Sequence, residues 1–235
     1  MSRCLLAFDT STERMTVALR VQGVDHLHDA PGGAAASAAL LPAIHRLLDT
    51  AGTTLGALDA IAFGRGPGAF TGLRTSCAVA QGLGFGLGRP LLSIDSLLLA
   101  AEDARRQAAP RAAEFEVGVA MDARMDEAYA GRYRWRGGRW QVLEAPALYT
   151  LPALAAAWAD APPWLAGSAL AAFGDRLPLA PAVPRLPRER DRAAALLALA
   201  QQAFDDGATL DAAQALPTYL RDKVALTTRE REALK

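Results

Sequence analysis

A chain of 235 residues can bury a substantial core, as one domain of two lobes or as two small domains. Its composition is 51% hydrophobic but only 6% aromatic, a bias toward helices packed by Ala and Leu. The 25 basic residues match 25 acidic ones, which excludes a global field toward anionic membrane or nucleic acid and argues against direct RNA contact.

The chain has no uninterrupted apolar run of about 18 residues, the length a membrane span needs. The apolar stretch before Asp9 is too short for the core of a signal peptide. Cys4 and Cys77 lack the spacing of a disulfide framework or a zinc site, and are expected as small buried hydrophobes in a strand and a helix. A cytoplasmic protein is expected.

In chain order, 3–8 is an apolar strand that stops at the polar turn Asp9-Thr10-Ser11-Thr12. Met15 to Val21 resumes as a strand, and Val24 to His28 returns after Gly23. A helix over 34–51 places Leu40, Ile44, Leu47 and Ala51 on one face; Pro42 sits in its first turn or kinks it. Asp59 to Phe63 is a buried strand that leads into a Gly-rich loop. After the segment 102–113, charged and expected to link two lobes, the order repeats. Phe115 to Met121 stops at Asp122-Ala123-Arg124, Glu127 to Trp135 resumes, and Gly137-Gly138 turns into a strand from Arg139. A helix over 151–158 echoes the earlier Leu-Pro, and Trp164 to Ala166 is a strand ending in Gly167. The segment 177–190, rich in Pro and charge, is expected to wrap the surface before a helix over 191–204. Chance could produce strand, turn and strand twice, but Asp, Gly turn, Leu-Pro and strand-Gly recurring in one order favour duplication. The element order implies an α/β, two-lobed, duplicated ribonuclease-H-like fold of the actin, sugar kinase and Hsp70 superfamily, with lobes 1–106 and 107–235. The last helix can pack back on the first lobe.

Gly64 to Arg74 is the sharpest local feature. Strand, glycine loop and helix can present backbone N–H groups to an anion, with Thr71 as the helix N-cap. The loop lacks the Gly-Lys-Ser/Thr ending of a P-loop, and its glycines can equally serve a tight turn and close packing. Asp9, Thr10 and Ser11 form a second candidate, either a phosphate and metal contact or a hairpin turn satisfied by its own hydroxyls. The second half offers bulky Arg124 and Met125 at the matching position and no second Gly-rich loop. Asp9, Thr10, Ser11, Gly66, Pro67 and Gly68 are therefore candidate vestigial phosphate loops. No catalytic residue, cofactor or metal ligand is assigned. The three histidines, His26, His28 and His45, form no metal motif, with the first two expected on a solvent face, and no Gly-x-Ser-x-Gly anchors a hydrolase.

Leu5 to Thr12, Leu40-Leu41-Pro42, Asp59 to Ala62, Gly66 to Arg74, Ser93 to Leu97, Met121 to Met125 and Pro217-Thr218-Tyr219-Leu220-Arg221 together resemble the TsaB (YeaZ) family. The resemblance implies a degenerate paralogue of TsaD. TsaD binds the metal and threonylcarbamoyl-adenylate and modifies the adenosine beside the anticodon in tRNAs reading codons that begin with A. The implied role is a non-catalytic scaffold that binds TsaD directly, with the ATPase TsaE engaging the pair and TsaC supplying the activated intermediate. The metal motif of TsaD, two His separated by three residues, is absent. Ala36 stands where members of the family often have His, which assigns no contact to the start of that helix. The runner-up reading is an ATP-dependent kinase-like enzyme, favoured by Asp9 and the Gly-rich loop; a metallopeptidase lacks ligands.

The helix after the Gly-rich loop should pack on its own sheet through Leu73, Ser76, Ala80, Leu83 and Leu87. The opposite side carries Thr71, Arg74, Thr75, Ala78, Gly82 and Phe85, with few charges for a face in water. Either the helix over 34–51 covers this side, or a partner does. The expected partner is TsaD, or a second copy of the chain in a homodimer when TsaD is absent. Pro217 to Arg221 is too apolar for a free tail, whereas Thr227 to Lys235 reads as charged and mobile.

Overall fold

The first half of the chain builds a five-stranded sheet around a strand buried on both faces. The structure, a computed structural model, describes residues 3–177, 179 and 182–221, so Thr227 to Lys235 lies outside the described residues. Strands β1 (Leu5–Asp9), β2 (Arg14–Val21), β3 (Val24–Pro31), β4 (Ala60–Gly66) and β5 (Leu91–Asp95) lie in the order β3-β2-β1-β4-β5. The pairs β1–β2 and β2–β3 are antiparallel, whereas β4 runs parallel to both β1 and β5.

Alternation along β1 explains why it is apolar throughout. Leu6 and Phe8 enter a cluster with Leu40 and Ile44 of helix α1 (Ala36–Thr50) and Cys77 and Ala80 of α2 (Phe70–Leu87). Leu5 and Ala7 face the other way, into a cluster with Leu99 of α3 (Ser96–Ala108) and Leu196 of α6 (Arg192–Asp205). A central strand covered on both sides reads as a continuous apolar run rather than as alternation. Pro42 lies inside α1, exposed, not in its first turn.

The second half repeats the plan with β6 (Glu114–Asp122), β7 (Glu127–Arg136), β8 (Arg139–Thr150), β9 (Leu165–Ala166) and β10 (Arg185–Leu186), in the order β10-β9-β6-β7-β8. Two short helices, α4 (Leu151–Ala157) and α5 (Ala169–Phe173), cover one face. Helix α3 covers the other with Leu97, Ala100, Ala101 and Ala104. Because Leu99 of the same helix packs on the first sheet, α3 is shared by the two lobes.

Three expectations change here. The supposed linker 102–113 is helix as far as Ala108, with Glu102 and Asp103 buried. Charge misled because these groups are paired. Arg105 donates two bonds to Glu102, Trp140 Nε1 donates a third, and Asp103 accepts from the backbone N–H groups of Arg190 and Asp191. The segment 177–190 is not only a surface wrap, since Arg185 and Leu186 form β10 and Glu189 packs inward against Arg192. His26 and His28 are half-buried, whereas Val24 and Leu27 of the same strand are exposed.

Leu196 is fully buried between α6 and the first sheet, while Leu27 is 48% exposed on the edge strand. Leu196→Ala is expected to cost about 2–5 kcal/mol in denaturant unfolding. Leu27→Ala should stay within about 0.5 kcal/mol. Equal effects would contradict the placement of α6.

Candidate functional site

The turn after β1 and the loop after β4 meet in space, and their polar groups engage each other. Asp9 is fully buried. Its carboxylate accepts from Ser11 N (2.8 Å), Ser11 Oγ (2.7 Å), Ser96 Oγ (2.8 Å) and Arg192 Nη2 (3.0 Å). Burial works against the charged form, but the Arg192 guanidinium and the three hydrogen bonds outweigh it and hold Asp9 below the usual carboxylate range. Arg192 also pairs with Glu189. Burial pushes the Glu189 carboxyl up, although the same guanidinium opposes that shift. Thr10 is committed as well, since its Oγ1 donates to Gly72 O at 2.7 Å and its N–H donates to Ser76 Oγ at 3.1 Å.

The Gly-rich loop gives this turn its room. A Cβ on Gly64 would stand 1.6 Å from Asp9 Oδ2, and one on Gly68 would stand 2.3 Å from Ser11 O. Gly66 N–H donates to Ser96 Oγ at 3.2 Å, and Ala69 N–H to Ser11 O at 2.7 Å. The cis Gly66–Pro67 bond lies between these two donors. Asp9, Thr10, Ser11, Gly66 and Gly68 thus touch one another or a shared serine, with Pro67 on the wall of a cleft. The N-cap of α2 is Ala69, without a side-chain cap, rather than Thr71, whose carbonyl instead accepts from Thr75 Oγ1.

That cleft lies between the lobes, with a volume of about 550 Å³. Ser11, Pro67 and Phe70 form one wall, and Met121, Arg124 and Tyr129 the other. Arg124, Met125 and Asp126 all have positive φ, at 64°, 57° and 58°. Left-handed backbone costs non-glycine residues about 1–2 kcal/mol each, so the turn needs outside support. Arg221 supplies it, donating to Ala123 O at 3.0 Å and Arg124 O at 3.3 Å while pairing with Glu127 at 2.6 Å. Arg124 reaches across the mouth to Glu13 at 2.7 Å, so the expected bulky residue does occupy the second lobe's matching turn.

The outer side of α2 is uncovered. Thr71, Arg74, Ala78, Gly82 and Phe85 are exposed and Thr75 is half-buried, with Phe85 at 64%. A Cβ on Gly82 would meet nothing within 4 Å, so α1 does not cover this side. Arg74 has a local role, stacking 3.8 Å over Phe70 and donating to Tyr219 Oη at 3.0 Å.

Sequence reasoning missed the partners that complete the site. Arg192 is 183 positions from Asp9 and carries no local motif. Ser96 and Asp95 lie in the family-like stretch Ser93 to Leu97, where the sequence alone gives them no role. Asp95 caps α3 through Leu97 N and Leu98 N and accepts from Tyr133 Oη of the second sheet at 3.0 Å. Among the described residues, no group of three or more His, Cys, Asp or Glu could hold a metal ion, and no helix is long and apolar enough to cross a membrane.

Residues 19–227 match the family model of TsaD, tRNA N6-adenosine threonylcarbamoyltransferase. The tRNA threonylcarbamoyladenosine biosynthesis protein TsaB of Escherichia coli (strain K12) is 33% identical over 235 residues, covering 94% of this chain and 96% of that protein. The chain belongs to the TsaB (YeaZ) family. YeaZ from Pseudomonas aeruginosa superposes with a TM-score of 0.80 at 38% identity, over 93% of this chain and all of that one. A second Pseudomonas aeruginosa structure, described as similar to peptidase YEAZ, gives 0.83 at 40% identity over the same shares. The inorganic polyphosphate/ATP-glucomannokinase of Arthrobacter sp. strain KM shares the fold alone, with a TM-score of 0.50 at 12% identity over 87% of this chain and 99% of that one. The two-lobed sugar-kinase-like architecture of this TsaB-family chain follows.

Asp9→Asn removes a charge that Arg192 needs, and breaking a buried pair from one side costs about 3–5 kcal/mol. Because Asp9 titrates lower in the folded chain than in the unfolded one, its contribution is complete above the ordinary carboxylate range and is lost as pH falls from there through the lowered pKa of the folded state. Chemical unfolding at several pH values should show the wild type losing its advantage over Asp9→Asn on acidification. A gap independent of pH would contradict the pairing.

Proposed function

We propose that the chain serves tRNA threonylcarbamoyladenosine biosynthesis as a non-catalytic subunit of the TsaD enzyme, in the cytoplasm. It docks on TsaD through the outer face of α2, centred on Thr71, Arg74, Thr75, Ala78, Gly82 and Phe85. The same face pairs two copies of the chain when TsaD is absent. TsaE engages the assembled pair, and tRNA contact is left to the partner. The lobes are taken as residues 1–106 and 107–235.

The observation that carries this reading is the outer face itself. From Thr75 to Gly88 the helix and its cap contain no charged residue, yet Ala78, Gly82 and Phe85 lie in solvent. A solvated helix face normally carries charge. Gly82 costs about 1 kcal/mol in a helix relative to alanine, and no contact among the described residues requires it. Small residues four apart let a second helix approach closely, and Phe85 offers an aromatic anchor. The absence of chemistry is supported separately, because Asp9 and the loop donors Gly66 N–H and Ala69 N–H are already bonded inside the protein.

A kinase-like enzyme is the second reading, favoured by the cleft between the lobes, whose volume suits a small ligand. The same internal bonding opposes it, as does Arg124 across the mouth.

Gly82→Arg places a long charge in the proposed contact without steric cost to the folded chain. Light scattering should show loss of the homodimer, and a pull-down loss of TsaD capture, with an unchanged circular dichroism spectrum. A folded variant that captures TsaD normally would refute the docking face.

A further inference from the structure

The segment Pro217–Arg221 touches both lobes within five residues. Just before it, Ala215 O accepts from Gln81 Nε2 at 2.9 Å, which lays the chain along α2. Thr218 N–H donates to Arg65 O at 2.7 Å, at the end of β4. Tyr219 stacks on Phe70 with ring centroids 5.3 Å apart and accepts from Arg74. The next side chains cross over. Leu220 packs in the cluster of the second sheet, and Arg221 clamps the left-handed turn through the carbonyls of Ala123 and Arg124 and the carboxylate of Glu127. That turn carries Arg124, which returns across the cleft mouth to Glu13 of the first lobe.

We infer that Pro217–Arg221 is a strap that couples the outer face of α2 to the turn at the mouth of the interlobe cleft. Its α2 end is a stack of Arg74, Phe70 and Tyr219, and Tyr219 remains 43% exposed beside the uncovered face. Its cleft end is the Arg221 guanidinium on the carbonyls of Ala123 and Arg124, beside Asp122, which accepts from Arg124 N–H, and Arg176, which pairs with Asp126. Together they hold three consecutive residues in left-handed backbone, a conformation that persists only where its surroundings impose it. A surface that grips the stack holds Tyr219 in place, and two residues later Arg221 stays on the turn. Loss of the stack frees the strap and releases the turn. The link is a property of the chain alone; its use by a docked partner rests on the function proposed above.

Hydrogen exchange on the isolated chain tests the link at two amides, Ala123 N–H, bonded to Glu127 O, and Glu127 N–H, bonded to Arg124 O. Arg221→Ala, which removes the clamp, should speed both at least tenfold. Tyr219→Ala, whose side chain touches α2 rather than the turn, should do the same. Arg74→Ala, at an exposed position where folding is not at risk, should speed them severalfold. Leu216→Ala, a strap neighbour 72% exposed, should leave them unchanged. Amides of β1 serve as the control for global opening. Exchange within twofold of wild type in both Tyr219→Ala and Arg74→Ala, or acceleration only in step with β1, would overturn the coupling. In a second arm with purified TsaD, the wild type should slow at both amides, while Arg221→Ala should bind TsaD without slowing. Binding without slowing in the wild type would end the partner-driven role, whereas failure of wild-type binding would refute the docking reading and leave the isolated-chain result standing.

Discussion

The ion pair between Asp9 and Arg192, with no water access to either group, is the constraint around which the rest of the structure is arranged. A buried charge is tolerated only when it is paired and its remaining hydrogen-bonding positions are filled. Asp9 meets that condition with two serines and a guanidinium. Satisfying it requires Gly64 and Gly68 to lack side chains, Ser96 to bridge Asp9 to the Gly66 amide, and α6 to return to the first lobe carrying Arg192. Asp103 of α3 then anchors the approach to α6 through the amides of Arg190 and Asp191. The anchoring ties together a first strand and a last helix separated by most of the chain.

This arrangement recasts the resemblance to nucleotide-binding folds. Two lobes, a cleft of about 550 Å³ and an acid at the end of the first strand are all present. Yet the acid is turned into the protein, and the second lobe answers with Arg124, whose backbone must be held by Arg221. The polar groups that the architecture could turn toward a ligand are bonded inside the protein. The unspent surface lies elsewhere, on the outer side of α2, which carries no charge beyond Arg74.

The strands and helices were legible because the period of the apolar pattern changed where the elements changed, and the twofold plan was legible because Asp, Gly turn and Leu-Pro recurred in order. The outer face of α2 was also visible, since a long run without charge on an amphipathic helix has few structural explanations. Three features were hidden for one shared reason. Arg192 as the partner of Asp9, the buried helix where 102–113 read as a linker, and the inward Glu189 all depend on buried charges. Some have partners far along the chain, as Arg192 for Asp9 and Trp140 for Glu102, and one, Glu189, is turned inward with Arg192 three residues on. Local composition reads a charge as solvated, and only the fold supplies its partner. The N-cap falls at Ala69, without a side-chain cap, rather than at Thr71, and nothing in the local composition marks that shift.

The central claim is that the residues resembling a phosphate site are already engaged within the protein. Thermal unfolding of the purified chain with and without millimolar Mg²⁺-ATP tests it most directly. A ligand that binds the folded state at 100 times its dissociation constant adds about 2.7 kcal/mol of stability, which for a domain of this size raises the melting temperature by several degrees. The account predicts superimposable transitions in the two conditions. A rise of several degrees in Mg²⁺-ATP would contradict it.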